Sequence, residues 1–246
     1  MLGAKCQLTI GTLSIAESQK FYSKLGFRVV AKGDHPFRWC KITDDSLLAL
    51  LYENGNNYLG LTYFDTNISR SQTLITDLNI PLVQNAPREK IFISKEDLIV
   101  TIAQSSGTEE MINVVLAAEE YLSGGNKQFP IKNKVIGTFG ELGVQVNSVT
   151  QSKDYWEDLG YHEIHFNEHP YRRILLTDGL FNLGMHENLK MLPQSIIYYT
   201  DNLGQVKKAL QQNQIPYEEE HFQFWNETHP LHIRTPEQQH IYVVEI

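Results

Sequence analysis

Two short stretches of the chain combine histidine, proline, an aromatic residue and arginine in the same order: DHPFRW at residues 34–39 and EHPYRR at residues 168–173. These side chains could bind a ligand, since arginine pairs with anionic groups and aromatic rings pack against planar ones. Alternatively, both stretches could maintain a turn and a buried hydrogen bond, because proline lacks an N–H group and favours the start of a strand. The candidate ligand-binding residues in these stretches are His35, Arg38, Trp39, His169 and Arg172.

Motifs that would identify a particular reaction are missing from the sequence. There is no nucleophile beside a base and no glycine-rich phosphate loop, since the glycines of residues 137–143 lead into a predicted strand. Cys6 and Cys40 are too few for a disulfide framework and do not form a CxxC pair. Whether the chain is an enzyme therefore stays open at the level of sequence, and catalytic residues are unknown.

The composition is that of a globular protein without a basic surface. Of the 246 residues, 41% are hydrophobic and 20% are charged, and the net charge is −8 with 21 dispersed Lys and Arg residues. Proteins that bind nucleic acids or anionic membranes usually carry a basic patch, so we expect neither partner. The sequence has no apolar run of the roughly 18 residues that a membrane helix needs and no signal architecture at its start. These features predict a cytoplasmic protein.

The two arginine-containing stretches belong to a longer internal repeat. Arg38 and Arg172 are 134 positions apart (172 − 38), and the same shift aligns further residues over about fifty positions without a gap. The repeated helix motif consists of Ser18, Phe21, Tyr22, Leu25, Gly26 and Phe27 in the first copy and of Ser152, Tyr155, Trp156, Leu159, Gly160 and Tyr161 in the second. The chain is therefore a tandem duplication.

Each repeat contains the pattern of a strand, a helix and three further strands. In the first copy the strand QLTIGTL precedes the helix SQKFYSKLG, which ends at a glycine as helix C-termini often do. A diverged copy of the pattern follows in each repeat, since residues 61–83 and 196–218 share a strand, an amphipathic helix and an Ile-Pro exit. We therefore predict four βαβββ modules, arranged as two tandem domains at residues 1–105 and 135–246 and a linker at residues 106–134 with one α-helix.

Four βαβββ modules carrying the pattern S-x-x-F-Y-x-x-L-G-F resemble the vicinal oxygen chelate superfamily, which includes glyoxalases, bleomycin-resistance proteins and extradiol dioxygenases. The resemblance covers nearly the whole chain except the linker. It implies an α+β fold of two tandem glyoxalase-like domains, in each of which a concave mixed sheet surrounds a cavity. It does not specify the chemistry, because one fold can support many activities.

Members of this superfamily commonly carry metal ligands on the first and last strand of a module, pointing into the cavity. Alternation along the first strands puts Gln7 and Glu141 on the cavity face, at the first ligand position. The matching positions on the fourth strands are Leu50 and Gly184, whose side chains cannot bind a cation. The positions in the second and fourth modules are near Leu59, Val100, Ser195 and Tyr242. The ligand set is incomplete, although His186, two residues beyond the expected position, could join Glu141.

We therefore predict a protein that binds a small planar or hydrophobic molecule in a sheet-lined cavity, with no metal or other cofactor. The aromatic residues expected in the two cavities are Trp39, Tyr52, Tyr63, Tyr198 and Tyr242. The full set of candidate ligand-binding residues is Gln7, His35, Arg38, Trp39, Tyr52, Glu141, His169, Arg172, His186 and Tyr242. The alternative is a divalent-metal-dependent lyase or dioxygenase with its site in the C-terminal domain, where Glu141 and His186 would bind the metal ion. A homodimer is also compatible with the sequence, which specifies neither the ligand nor the domain that binds it.

Overall fold

The structure is a computed structural model, and it describes residues 1–105, 131–224 and 229–246. The helix predicted in the linker, near residues 108–125, lies outside these ranges, so the domain boundaries within the linker stay predictions. None of the helices within the three ranges is long and apolar enough to span a membrane.

The described residues form four helices and sixteen strands. The helices are α1 (Ile15–Lys24), α2 (Ser69–Asp77), α3 (Val149–Asp158) and α4 (Leu203–Gln212). The strands of the N-terminal half are β1 (Lys5–Gly11), β2 (Arg28–Gly33), β3 (Arg38–Thr43), β4 (Leu48–Glu53), β5 (Tyr58–Asp65), β6 (Leu82–Ala86), β7 (Glu89–Ile93) and β8 (Ile99–Gln104). Those of the C-terminal half are β9 (Thr138–Gln145), β10 (His162–Asn167), β11 (Arg173–Thr177), β12 (Asn182–His186), β13 (Gln194–Thr200), β14 (Glu218–Glu219), β15 (Leu231–Arg234) and β16 (His240–Glu245).

The strands form two eight-stranded mixed sheets, one in each half of the chain. Their orders are β2-β3-β4-β1-β5-β8-β7-β6 and β10-β11-β12-β9-β13-β16-β15-β14. The first strand of a module pairs in parallel with its last, as β1 does with β4 and β9 with β12. The two modules of each half join through their antiparallel first strands, β1 with β5 and β9 with β13. This topology confirms the α+β fold of two tandem domains, each built from two βαβββ modules.

The helices that follow β1 and β9 are delimited by repeated residues. Ser14 and Ser148 cap α1 and α3, each accepting a hydrogen bond from the backbone N–H three residues further along. The helices end before Gly26 and Gly160, whose φ angles of 93° and 99° are conformations that favour glycine. The same local signals therefore produce matching helices in both halves.

The two halves share one continuous apolar core, and their contact is reciprocal. Tyr63 OH donates to Asp178 Oδ2 at 2.8 Å, and Tyr198 OH donates to Asp44 Oδ2 at 2.8 Å. Because Asp44 and Asp178 are equivalent in the repeat, the halves meet as the two copies of an isologous dimer do. Tyr63 and Tyr198 are thus interface residues, and the prediction that they line the cavities is wrong. On β5 and β13 they lie on the face opposite the concave one.

Candidate functional site

The arginines of the two repeated stretches support the first turns of helices. Arg38 Nη1 lies 3.4 Å from Glu53 Oε1, and Arg172 Nη1 lies 3.4 Å from Glu187 Oε1. The same carboxylates accept hydrogen bonds at 2.8 Å from the first backbone N–H groups of α1 and α3. Exposed ion pairs of this kind contribute about 0–1 kcal/mol. These contacts give Arg38 and Arg172 a structural role, and their contact with a ligand stays a prediction.

The histidines of the same stretches lie in turns at the edge of each sheet. His35 and His169 are exposed, and each precedes a proline in a cis peptide bond. A ligand could meet them only at the rim of a sheet, so their role in binding also stays a prediction.

The arginine that enters a concave face is Arg173, the neighbour of the predicted Arg172. It begins β11 and is fully buried. Arg173 is not among the predicted ligand-binding residues, although the sequence contains the signal for it. The period of two along a strand puts consecutive residues on opposite faces, so only one of the two arginines can point inward.

The C-terminal concave face holds a cluster of buried polar side chains around Glu141. Glu141 Oε1 lies 2.7 Å from His186 Nε2, and Glu141 Oε2 accepts a hydrogen bond from Tyr199 OH at 3.1 Å. The guanidinium of Arg173 contacts both carboxylate oxygens, through Nη2 and through Nε at 3.4 Å. Arg173 Nη2 also donates to Tyr199 OH at 2.9 Å, and Tyr171 OH lies 3.0 Å from His186 Nδ1. The structure therefore brings Glu141 and His186 together, as the alternative function requires, and adds an arginine to them.

The charges in this cluster follow from burial and from Arg173. Burial by itself would raise the pKa of Glu141, but Arg173 and His186 lower that pKa to about 2. Burial lowers the pKa of His186, and Arg173 adds to this effect while Glu141 opposes it. Near neutral pH the cluster thus contains an ionised carboxylate, a guanidinium and a neutral imidazole. Since the imidazole donates through Nε2 to Glu141, its Nδ1 accepts a hydrogen bond from Tyr171.

This donor set does not fit a resident divalent metal ion. A cation bound by Glu141 and His186 would lie beside the Arg173 guanidinium, and a divalent charge about 4 Å from a unit positive charge costs on the order of 8 kcal/mol at an effective dielectric constant of about 20. Gly184 stands at the fourth-strand ligand position because a Cβ there would lie 2.4 Å from the carboxyl carbon of Glu141. Within the described ranges, no three His, Cys, Asp or Glu side chains are arranged to hold a metal ion. In this arrangement the guanidinium of Arg173 neutralises Glu141.

Apolar side chains cover this polar cluster. Phe222 and Phe224 pack with Met191 and Tyr242 in a second buried cluster on the concave face. The rings of Phe224 and His186 are 5.9 Å apart. Tyr242, one of the predicted ligand-binding residues, is fully buried here. A ligand could reach Glu141 only if this cover moved.

The N-terminal concave face carries aromatic residues where the C-terminal face carries charged and polar ones. At the 134-residue shift, Gln7 corresponds to Glu141, Phe37 to Tyr171, Trp39 to Arg173 and Tyr52 to His186. Trp39 and Tyr52 are half-buried, and the rings of Phe37 and Tyr52 meet edge to face with centres 5.7 Å apart. Gln7 is 1% exposed, and neither polar atom of its side chain has a hydrogen-bond partner among the described residues. At these four positions the C-terminal face is charged and polar, and the N-terminal face is mainly aromatic.

Two threonines complete the floor of the N-terminal face around Gln7. Thr62 lies opposite Gln7 in the pairing of β1 with β5. The hydroxyls of Thr9 and Thr62 are buried and 2.7 Å apart. Three of the predicted ligand-binding residues therefore lie on this face, namely Gln7, Trp39 and Tyr52. A fourth, Tyr242, lies under the apolar cover of the C-terminal face.

Comparisons with known proteins bear on the fold. No protein-family model and no curated protein matches the sequence. Among solved structures, a catechol 2,3-dioxygenase shares 13% identity, with 98% of this chain and 86% of that chain covered and a TM-score of 0.58. A variant of homoprotocatechuate 2,3-dioxygenase from Brevibacterium fuscum shares 10% identity, with 98% and 71% covered and a TM-score of 0.61. BphC, a halotolerant catechol dioxygenase, shares 12% identity, with 100% and 87% covered and a TM-score of 0.58.

Likeness at such low identity concerns the arrangement of the backbone and leaves the activity undecided. The likeness extends over both halves of the chain, so the tandem arrangement of the two domains is shared as well as the fold of each module. Together with the four βαβββ modules and the two concave sheets, it shows that the chain has the fold of the vicinal oxygen chelate superfamily.

Proposed function

We propose that this chain binds a small planar or hydrophobic molecule on its N-terminal concave face and does not need a metal ion to do so. The observation that carries the proposal is the Gln7 side chain, which is buried without a hydrogen-bond partner among the described residues. Buried polar groups almost always have partners. Each unsatisfied group costs about 1–3 kcal/mol. Because Gln7 is only 1% exposed, a ligand can pair with both atoms of the amide only if the side chains around Gln7 move, and it would then recover this energy on binding.

The amide of Gln7 also defines the kind of ligand. Its NH2 group donates and its carbonyl oxygen accepts in one plane. The complementary group offers an acceptor and a donor side by side, as a lactam or another ring amide does. Trp39 and Tyr52 supply aromatic surface against which such a planar ring can pack.

On the C-terminal face the residue equivalent to Gln7 has its hydrogen-bond partners, although Asn182 Oδ1 and Tyr242 OH on that face are also buried without a partner among the described residues. Where Gln7 is unpaired, the equivalent Glu141 is bonded by Arg173, His186 and Tyr199. A hydrogen-bond network of this kind stabilises one arrangement of the side chains. We therefore assign ligand binding to the N-terminal face.

The test is a calorimetric titration of the chain with isoquinolin-1(2H)-one, a planar lactam, and with its N-methyl analogue, which lacks the donor. Gln7→Leu removes both polar atoms, and Gln145→Leu is the matched control on β9, the equivalent strand of the C-terminal domain. We expect the lactam to bind wild type and Gln145→Leu equally, and Gln7→Leu at least about tenfold more weakly, which corresponds to about 1.4 kcal/mol. Undiminished binding by Gln7→Leu, or equal binding of the N-methyl analogue, would refute the proposal.

A second candidate function is a metal-dependent lyase or dioxygenase with its site in the C-terminal domain. The fold likeness to dioxygenases favours it, as does the 2.7 Å contact between Glu141 and His186. The guanidinium of Arg173 weighs against it for the electrostatic reason given above.

Elemental analysis of protein purified without a chelator separates the two candidates, with circular dichroism to verify that each variant is folded. A stoichiometric metal in wild type that is lost in Glu141→Ala would support the metal enzyme and refute the metal-free proposal. A metal-free wild type after loading with zinc, iron, manganese or nickel would refute the second candidate.

A further inference from the structure

A cleft of about 910 Å³ lies between the two halves of the chain, outside both concave faces. One wall consists of the segment between α2 and β6 together with the turn between β7 and β8, and the other wall is the exposed side of α3. The volume is within the range of small-molecule sites, roughly 300–1,000 Å³. The function proposed above makes no use of this cleft.

The repeat generates an equivalent groove beside α1, but that groove measures only about 180 Å³. Asn213, at the end of α4, donates through Nδ2 to the carbonyl oxygen of Lys24 at 2.9 Å and so ties α4 to α1. The residue that corresponds to Asn213 at the end of α2 is Leu78 (213 − 78 = 135), which has no polar side-chain atom. The cleft beside α3 therefore lacks the equivalent of this hydrogen bond, although Trp156 Nε1 donates to Glu96 Oε2 across it at 3.1 Å.

The open cleft is acidic, whereas the groove beside α1 is basic. Lys20 and Lys24 on α1 correspond to Asp154 and Asp158 on α3 at the 134-residue shift. The charged residues that line the cleft are Lys95, Glu96, Asp97, Asp154 and Asp158. With four carboxylates and one ammonium group, the cleft attracts cations.

An ammonium group of the protein already lies on an aromatic ring in this cleft. Lys95 Nζ is 4.9 Å from the centre of the Tyr155 ring, which is within the range of cation–π attraction. Lys95 is exposed, so its flexible side chain can move to solvent when another cation takes its place. Ile80 and Pro81 add apolar surface to the lining of the same cleft.

We propose that this cleft is a binding site for an organic cation. The ammonium group of the ligand takes the place of Lys95 on the Tyr155 ring. The four carboxylates that line the cleft, Asp154 and Asp158 among them, supply the balancing negative charge, and residues 80–81 contact its apolar part. The combination of an aromatic face, carboxylates and apolar surface is the one by which proteins recognise substituted ammonium groups.

The probe for this proposal is choline, with 3,3-dimethylbutan-1-ol as the neutral molecule of the same shape. Calorimetric titration at low salt should give a choline Kd in the millimolar range, or about −4 kcal/mol, and at least about tenfold weaker binding of the alcohol. Tyr155→Leu and the double variant Asp154→Asn with Asp158→Asn should each raise the Kd about three- to tenfold. Both aspartates are exposed, so their exchange does not threaten folding. Glu17→Gln, in the groove beside α1, is the matched control and should bind choline as wild type does.

Three results would overturn the proposal. The first is equal binding of choline and the alcohol, because the charge would then have no role. The second is unchanged choline binding by the double aspartate variant, or an equal loss in Glu17→Gln, which would indicate unspecific attraction. The third is the absence of binding heat up to about 20 mM choline, well above the expected Kd.

Discussion

Exchanging Arg173 for alanine removes the cation that neutralises Glu141, and the folded chain should lose a large part of its stability. Both side chains are fully buried, so water cannot replace the lost contacts. The exchange removes the bonds from Nε and Nη2 to the carboxylate and the bond from Nη2 to Tyr199 OH. Leaving one member of a buried ion pair alone costs about 3–5 kcal/mol, out of a total of about 5–15 kcal/mol for a typical protein.

The loss should be visible in thermal unfolding and should depend on pH. For a chain of this size, 1 kcal/mol changes the midpoint by about 2–4 °C, so we expect a decrease of about 6–20 °C. In wild type the pKa of Glu141 is lowered from 4.5 to about 2, so its contribution is present above pH 4.5 and is lost as the pH falls towards 2. In Arg173→Ala, burial is no longer opposed by the guanidinium and the pKa of Glu141 rises. The difference in stability between wild type and variant should therefore shrink as the pH is lowered.

A double-mutant cycle measured by urea unfolding tests the reasoning. Glu141→Gln should also destabilise, because it leaves the guanidinium buried without a counter-charge. The combination of Glu141→Gln with Arg173→Met should cost less than the sum of the two single changes, since it removes both charges. A loss below about 1 kcal/mol in Arg173→Ala, or additive losses in the cycle, would refute the assignment of Arg173 as the internal cation of this face.

Exchanges at three other places should have smaller effects on the stability of the folded chain. Arg38→Ala and Arg172→Ala should each lower the free energy of unfolding in urea by less than about 1 kcal/mol, because their ion pairs are exposed. A loss above about 2 kcal/mol in either variant would show that its ion pair is more than a surface contact. Ser148→Ala should cost about 1 kcal/mol by removing the cap of α3, while Ser148→Thr, which keeps the hydroxyl, should cost much less. His232 Nε2 and His240 Nδ1 are 2.9 Å apart, and burial, followed by the neighbouring His232, lowers the pKa of His240 from 6.5 to about 4. The neutral pair is therefore favoured in the folded state, and stability should fall as the pH drops from 6.5 towards 4. His240→Gln should make the stability less dependent on pH over this range. An equally steep dependence in His240→Gln would contradict the assignment of this effect to the histidine pair.

The duplication made much of the fold and part of the sites predictable. One ungapped shift identified equivalent positions, so the alternation of a strand assigned Gln7 and Glu141 to concave faces before any contact was known. The same alternation separates Arg173 from Arg172, yet only Arg172 belongs to the motif shared with Arg38, so the motif does not indicate Arg173. Tyr63 looked like a cavity residue because it is aromatic and near a predicted strand, and aromatic character does not distinguish a cavity from an interface.

The sequence by itself determined the modules, their helices and the faces of their strands, because these depend on local signals such as period-two alternation, capping serines and terminal glycines. Only the tertiary structure decided which polar side chains meet. Arg173 is 32 positions from Glu141, and Tyr63 is 115 positions from Asp178. Contacts over such separations depend on the order of strands in each sheet and on the packing of one half against the other. The two copies therefore share a pattern and differ in chemistry, with a charged network on one concave face and an unpaired amide among aromatic rings on the other.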